Sequence, residues 1–209
     1  MSLSSSIDFQ RGGPLVELAK GRPVREVLEG GRLKGGMLRS HLRWLQEHHP
    51  DDVDRILGTL PADLSREIGA VLLVSSWYPF ATLIHFDRAI AGAFGGDETL
   101  RELGRHSARI NLSTTYKALD RDTNHDFFEH SALVHRQFQD FGTVAYERGA
   151  GGGRIVHSDY PCFSRIFCAS AIGYYEATIK SHGAQRAQVQ ETECQCFGDR
   201  SCTFEMRWY

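Results

Sequence analysis

The spacing of apolar residues changes its period once along this chain, at Gly142, and that change limits the available folds. Before Gly142 apolar side chains recur every three or four residues, as at Leu38, Leu42 and Leu45, which is the period of an α-helix. After it, the segments GTVAYERGAGGGRIVHSDYP and RAQVQETECQCFGDRSCTFEMRWY alternate around turns, which indicates two β-hairpins. A helical part followed by a hairpin-rich part predicts the α+β class.

Proline, glycine and aspartate residues divide the helical part, as is typical of helix ends. The expected helices run from Met37 to His49, from Asp51 or Asp52 to Leu57, over 62–76, from Pro79 to Phe94, and from Asp97 past Ile110. A further helix is expected to carry an aromatic face made of Phe127, Val134, Phe138 and Phe141. The apolar helical faces between Phe80 and Phe141 exceed what one small sheet can cover, which predicts a homodimer through the helical half.

The hairpin part is expected to contain strands near 143–148 and 154–159, then a helix within CFSRIFCASAIGYYEATIKSHG, then a hairpin around Gly198. The predicted architecture is an N-terminal helical layer followed by a ββαββ antiparallel sheet. We divide the chain into an N-terminal helical extension, 1–60, and an α+β domain, 61–209.

Composition excludes several classes of protein. The formal net charge is −2 and the 24 Lys and Arg residues are scattered, which argues against direct binding to nucleic acid. The longest apolar run, IGAVLLV at 68–74, is far shorter than the ~20 residues that span a bilayer. The first residues do not have the pattern of a secretory signal. We therefore expect a cytoplasmic protein with reduced thiols and no membrane span.

Three of the five cysteines form the most informative polar group in the sequence. Cys194 and Cys202 lie four residues on either side of Gly198, so a hairpin turning there brings them close together. Cys168 lies on the helix that should cover the sheet. Glu191 lies on the same strand as Cys194, at a spacing that strict alternation would place on the opposite face. A ligand shared by these two residues therefore requires a bulge or a strand end.

Three thiolates and one carboxylate would fill a tetrahedral metal site and leave no open position for chemistry. Cysteine is also among the most buried residue types, and thiols can pair. Spacing alone therefore leaves three interpretations open, namely a metal site, buried free thiols and a disulfide. The histidines are less informative: His125, His130 and His135 are five residues apart and do not share a helix face, and His157 is expected at the surface.

The C-terminal third of the chain resembles the 4-vinyl reductase domain. That domain belongs to the NO-signalling and Golgi-transport ligand-binding fold, together with TRAPP subunits and the aromatic-sensing domains of bacterial activators. The matching segments are SDYPCFSRIFCASAIGYYEATIKSHG and VQETECQCFGDRSCTFEMRW. The resemblance implies that a structural zinc is bound by Cys168, Glu191, Cys194 and Cys202. Cys196 would replace one of these ligands if the register differs.

The resemblance also implies a function. We expect a non-enzymatic, regulatory module that senses or binds a small apolar or aromatic molecule. Two alternatives remain: a TRAPP-like interaction scaffold without a ligand, and a tetrapyrrole-related reductase or accessory factor. The sequence contains no convergent acid–base pair to support an enzyme.

Overall fold

A computed structural model describes residues 22–113 and 123–209, in which most helices precede the main sheet. The elements in chain order are β1 (Arg32–Lys34), α1 (Gly35–His48), α2 (Val53–Gly58), α3 (Ala62–Gly69), β2 (Trp77–Pro79), α4 (Phe80–Phe94), α5 (Asp97–Ser113), α6 (Asn124–Val134), β3 (Thr143–Gly149), β4 (Gly152–Ser158), α7 (Arg165–Ser181), β5 (Ala187–Glu193) and β6 (Ser201–Trp208). Short 3₁₀ turns lie at Pro50–Asp52, His135–Gln137 and Gln195–Phe197. The α+β class with antiparallel sheets is confirmed.

The helix expected over 62–76 is shorter than predicted. It ends at Gly69, because Ala70 already has an extended backbone with ψ −176°. The apolar residues that follow belong to a loop in which Leu72 is buried while Val71 is 84% exposed. The backbone N–H of Leu73 donates to the hydroxyl of Tyr78 on β2 (3.1 Å), so this loop is bonded to the strand that follows it.

The expected aromatic face is not carried by one helix. Helix α6 ends at Val134, and Phe138 and Phe141 follow a 3₁₀ turn. The carbonyl of Phe138 accepts from the backbone N–H of Lys34 (2.8 Å), which ties this segment to β1. Phe127 and Phe141 are nevertheless buried, at 2% and 3% exposure, within a single chain. The apolar surface that motivated the homodimer is therefore largely covered by the chain itself, and the homodimer stays a prediction.

The main sheet is antiparallel, with the strand order β3-β4-β6-β5. Cross-strand partners lie on the same face of a sheet. One row across the sheet therefore contains Tyr146, Ile155, Phe204 and Glu191, and a neighbouring row contains Val144, His157 and Cys202. The residues between these two rows point to the opposite face of the sheet. Arg154 and Glu205 form an ion pair on that face. Helix α7 packs on the face that carries Phe204.

Helices α5 and α7 cross at unusually short distance. A Cβ atom on Gly104 would lie 1.9 Å from the carbonyl oxygen of Ser170, and one on Gly173 would lie 2.0 Å from that of Arg101. Real Cβ atoms do not come so close to backbone atoms, so glycine is required on both helices. This crossing fixes α7 against the helical layer, and α7 contributes side chains to both of the polar sites described below.

Buried side chains from Leu33 to Met206 form one connected hydrophobic core. Residues 1–21 of the proposed N-terminal extension lie outside the described residues, and the division at residue 60 stays a prediction. None of the helices that the structure describes is both long enough and apolar enough to cross a membrane.

Candidate functional site

The structure brings the four predicted ligand residues together. The donor atoms of Cys168, Glu191, Cys194 and Cys202 all lie within 4.8 Å of one another, and all four residues are buried. The Sγ atom of Cys168 is 3.7 Å from that of Cys202 and 4.0 Å from that of Cys194. A tetrahedral ion with metal–sulfur bonds of about 2.3 Å would hold its sulfur atoms about 3.8 Å apart. The sulfur spacing therefore fits a tetrahedral site, and it is also the spacing of hydrogen-bonded thiols. All five cysteines are free thiols in this structure.

A β-bulge places Glu191 on the same face as the thiols. Glu191 pairs with Phe204, but Glu193 pairs with Thr203, so β5 advances by two residues while β6 advances by one. The extra residue shifts the alternation by one position. Cys194 consequently reaches the face of Cys202, where the two Sγ atoms are 4.0 Å apart. This is the irregularity that the sequence spacing requires for a shared ligand.

The Glu191 carboxyl group is buried without a hydrogen bond to compensate for the loss of water. Its exposure is 0%, and neither of its oxygens has a hydrogen-bond partner. Burial raises the pKa of Glu191 to about 9. Hydrogen bonds to Cys194 and Cys202, together with burial, likewise raise the pKa of the Cys168 thiol. A fully buried acid with unused oxygens requires an explanation, because native proteins contain few such groups.

The loop after β5 holds the cluster in place. The backbone N–H of Cys194 donates to Asp199 Oδ2 (2.9 Å), and the backbone N–H of Gln195 donates to the Cys202 sulfur (3.4 Å). Gly198 has φ +89°, a left-handed conformation that glycine adopts without strain. Cys196, the alternative ligand, is buried nearby but is outside the group of four whose donor atoms converge.

A second polar site lies in a cavity of about 150 Å³ between the helical layer and the sheet. Its walls come from α1, α5, α6 and α7, and its floor from β3 and β4. Most lining residues are aromatic or small, including Phe127, Phe128, Phe138, Tyr160, Phe167, Tyr174 and Tyr175. Three histidines, His41, His135 and His157, also line it. Neither Lys nor Arg nor any acidic residue lines this cavity within the described chain.

His41 is the most unusual of these histidines. Its side chain and that of Asp87 are both 0% exposed, and Nδ1 lies 2.6 Å from Asp87 Oδ1. The other ring nitrogen, Nε2, is buried without a hydrogen-bond partner. Burial raises the pKa of Asp87. His41 lines the cavity, whereas its partner Asp87 does not. Since Nδ1 is engaged by Asp87, Nε2 is the ring nitrogen left free to meet a molecule in the cavity.

The other two histidines are engaged by the protein. The ring nitrogens of His135 lie 3.2 Å from the carbonyl oxygen of Ala132 and 3.1 Å from that of Gly142. His157 Nε2 is 2.7 Å from the hydroxyl of Tyr175. Burial lowers the pKa of His157 to about 3, so its ring is neutral.

Sequence reasoning missed this cavity. His157 was expected at the surface, yet it is 5% exposed and its strand position pairs with Cys202. The partnership of His41 with Asp87 joins α1 to α4 across 46 sequence positions and has no local motif. Alternation along β4 could have revealed that His157 is buried, because it puts His157 on the same face as the apolar Ile155.

Comparison with known proteins identifies the fold. No family model and no curated protein matches the chain. A mutant H-NOX protein from K. algicida, solved in the Fe(II) unliganded state, is 13% identical with a TM-score of 0.66, covering 85% of this chain and 97% of its own. An H-NOX protein from S. oneidensis in the Fe(II)NO state is 12% identical, with a TM-score of 0.64 and coverages of 85% and 99%. An oxygen-binding H-NOX domain related to soluble guanylate cyclases is 16% identical, with a TM-score of 0.62 and coverages of 84% and 95%.

These comparisons correct two expectations. The assignment to the 4-vinyl reductase domain is wrong, because the similar structures are H-NOX domains, which bind NO or oxygen through haem. The expectation of a structural zinc as cofactor is wrong for the same reason, since the cofactor of those structures is haem with Fe(II). The convergence of Cys168, Glu191, Cys194 and Cys202 is a separate observation, on which the comparisons do not bear. At identities below one fifth the likeness concerns architecture, and the chain has the fold of the H-NOX domains.

Proposed function

We propose that this chain is a non-enzymatic module that senses a small molecule bound in the cavity above β3 and β4. The observation that carries the proposal is the buried, partnerless Nε2 of His41 in a cavity whose walls are mainly aromatic and small residues. Ligand sites have this character, with many apolar walls and a few well-placed polar groups. The likeness to H-NOX structures solved as NO and oxygen complexes supports a sensing role.

The arrangement of polar groups supports a binding function over an enzymatic one. A nucleophilic site requires a hydroxyl or thiol hydrogen-bonded to a base. Within the described residues, His41 is bonded to the carboxyl group of Asp87 and to no hydroxyl or thiol. The hydroxyl of Tyr175 is bonded to His157 Nε2, but burial raises the pKa of that phenol and lowers the pKa of His157 to about 3, so this imidazole is too weak a base to take the proton. Four closely packed donors around the cysteine cluster would likewise leave no open position at a bound metal.

Haem is the group that the fold likeness suggests, and the cavity fits it only in part. Haem iron takes a histidine ligand, and three imidazoles are present. The volume of about 150 Å³ is below the roughly 300–1,000 Å³ of ordinary small-molecule sites. No cationic side chain of the described residues lines the cavity to pair with the haem propionates. The residues therefore fit the iron but not the whole macrocycle, and the ligand that we propose is a small molecule bound directly.

Ligand-induced stabilisation tests this function, with acetophenone as the probe. A ligand at 100 times its Kd stabilises the native state by about 2.7 kcal/mol, so the Tm of the wild-type protein should rise. Ala171→Phe fills the cavity from α7 and should abolish the rise. Ala93→Phe, on the exposed side of α4, is the matched control and should keep it. No rise in the wild-type protein would contradict the proposal.

A hemin titration of the wild-type protein distinguishes the haem-based form of the function. We expect no stoichiometric Soret band. A stoichiometric band, lost in Ala171→Phe and kept in Ala93→Phe, would replace direct binding by sensing of a diatomic gas on haem.

We propose further that Cys168, Glu191, Cys194 and Cys202 bind one thiophilic transition-metal ion. Two observations support this site. The three sulfur atoms have the spacing that a tetrahedral ion requires, and a bound cation would provide the partner that the Glu191 oxygens lack. Elemental analysis for all transition metals in protein purified without added metal tests this site. Protein free of metal, with five titratable thiols, would make the group an ordinary part of the core.

A further inference from the structure

Among the polar groups that line the cavity, His41 is the one whose hydrogen-bonding character can be deduced from the charge of its buried pair with Asp87. His41 and Asp87 are both 0% exposed, and the Nδ1–Oδ1 distance of 2.6 Å shows that a proton lies between them. The remaining question is whether His41 Nε2 carries a hydrogen or a lone pair, because this decides what the cavity can bind.

Counting protons gives the answer. Two forms of the pair have no net charge: a neutral Asp87 beside a neutral His41, and an ionised Asp87 beside a protonated His41. In both forms Nε2 carries a hydrogen. Only the form with an ionised Asp87 and a neutral His41 leaves a lone pair on Nε2, and it has a net charge of −1.

The surroundings disfavour the charged form. No Lys, Arg or acidic residue of the described chain lines the cavity, and Asp87 Oδ2 has no hydrogen-bond partner that would stabilise a carboxylate. An uncompensated buried charge costs several kcal/mol. The pair is therefore neutral overall, and His41 presents an N–H donor to the cavity.

We propose that His41 Nε2–H donates a hydrogen bond to one acceptor oxygen of the cavity ligand, with Asp87 as the positioning residue that fixes the ring. The ligand is then an uncharged, mainly apolar molecule about the size of one ring, with a carbonyl, ether or hydroxyl oxygen. This inference rests on the proposed function, since it describes the ligand of the same cavity.

Size and lining agree with that ligand class. A dry apolar cavity of about 150 Å³ is known to accept benzene. The aromatic walls provide contact area for a ring. Ser131 also lines the cavity with a buried hydroxyl that has no partner, so Ser131→Ala is the matched control for His41 in the test below and should keep the preference for an acceptor oxygen.

A pair of matched probes tests the donor. Acetophenone and α-methylstyrene have nearly the same shape, but only acetophenone has an acceptor oxygen. We expect the wild-type protein to bind acetophenone about 3- to 10-fold more tightly, as one net hydrogen bond provides. His41→Phe should bind both probes with equal affinity. His41→Gln, whose amide N–H₂ can take the place of Nε2–H, should keep a preference for acetophenone.

A second measurement needs no variant. The C=O stretch of acetophenone bound to the wild-type protein should lie at lower frequency than in an apolar solvent, because hydrogen bonding weakens the carbonyl bond. An unshifted stretch, or a preference for acetophenone that survives in His41→Phe, would overturn the role of His41 while leaving the cavity as the binding site. Failure of both probes to bind the wild-type protein would overturn the proposed function itself.

Discussion

The cysteine cluster and the His41–Asp87 pair differ in how the chain assembles them. Three of the four cluster residues belong to one hairpin, so a turn of a few residues and one bulge suffice to bring them together. The pair of His41 and Asp87 joins residues 46 positions apart on two helices, and it exists only when the helical layer is packed. The first site therefore depends on local register and the second on tertiary packing.

The two sites are nevertheless neighbours. His157, which lines the cavity, pairs across the sheet with Cys202 of the cluster. Helix α7 carries Cys168 toward the cluster and Ala171 toward the cavity. If a substitution in one site leaves the other unchanged, the two sites are independent. A substitution that moves α7, which they share, should disturb both.

The largest effect is expected from removing one cluster thiol. Cys202→Ser should lose the metal and lower the free energy of unfolding by about 3–5 kcal/mol, because the buried Glu191 is left without its cation. Cys162→Ser is the matched control, since Cys162 is also fully buried but lies outside the group. Elemental analysis and urea unfolding measure both quantities. Equal metal content in the two variants would show that Cys202 is not a ligand.

The shared helix is tested by Gly104→Ala. The new Cβ would meet the carbonyl oxygen of Ser170 at 1.9 Å, so α7 must move away from α5. We expect a loss of about 1–3 kcal/mol in unfolding free energy, with weaker probe binding in the cavity. Gly92→Ala, which meets nothing within 4 Å on α4, should instead stabilise the protein by about 0.5–1 kcal/mol. Similar stabilities for the two variants would contradict the tight crossing.

The helical layer should also respond to pH through His106. Burial lowers the pKa of His106 to about 4, below its usual value near 6.5, so the unfolded state takes up the proton first as the pH falls. As the pH falls from 6.5 to 4, His106 therefore lowers the free energy of unfolding by up to about 1.4 kcal/mol per pH unit. Unfolding free energies of His106→Leu measured over this range should show a shallower slope. Leu133→Gln, at an 81% exposed position without an ionisable group, should keep the wild-type slope.

The smallest effect is expected where α1 meets α5 beside the cavity. The hydroxyls of Ser40 and Ser107 are 2.5 Å apart and buried. Removing one partner in Ser107→Ala should cost about 1 kcal/mol, because the other hydroxyl loses a partner. The double variant with Ser40→Ala should cost less than twice this amount. Additive losses would mean that the two hydroxyls do not interact.

Sequence patterns predicted the parts of the fold that local chemistry determines. The glycine turn, the spacing of Cys194 and Cys202, and the need for a bulge after Glu191 all follow from period-two alternation. The fold likeness and the cavity could not be obtained this way. His41 has an ordinary position on an amphipathic helix, and only the packing of α1 against α4 gives it a buried carboxylate partner. The end of α3 was misplaced because the residues after Gly69 are apolar enough to continue a helix, whereas in the structure they form a loop bonded to Tyr78.

The bulge at Thr192 makes chain length, as well as chemistry, a determinant of the cysteine cluster. Deleting Thr192 would restore regular pairing of β5 with β6 and turn either Glu191 or Cys194 to the opposite face of the sheet. All four donor side chains would still be present in the sequence. For a lineage of such chains, one codon inserted or removed at this position could create or abolish the group in a single step, while each donor residue remained unchanged.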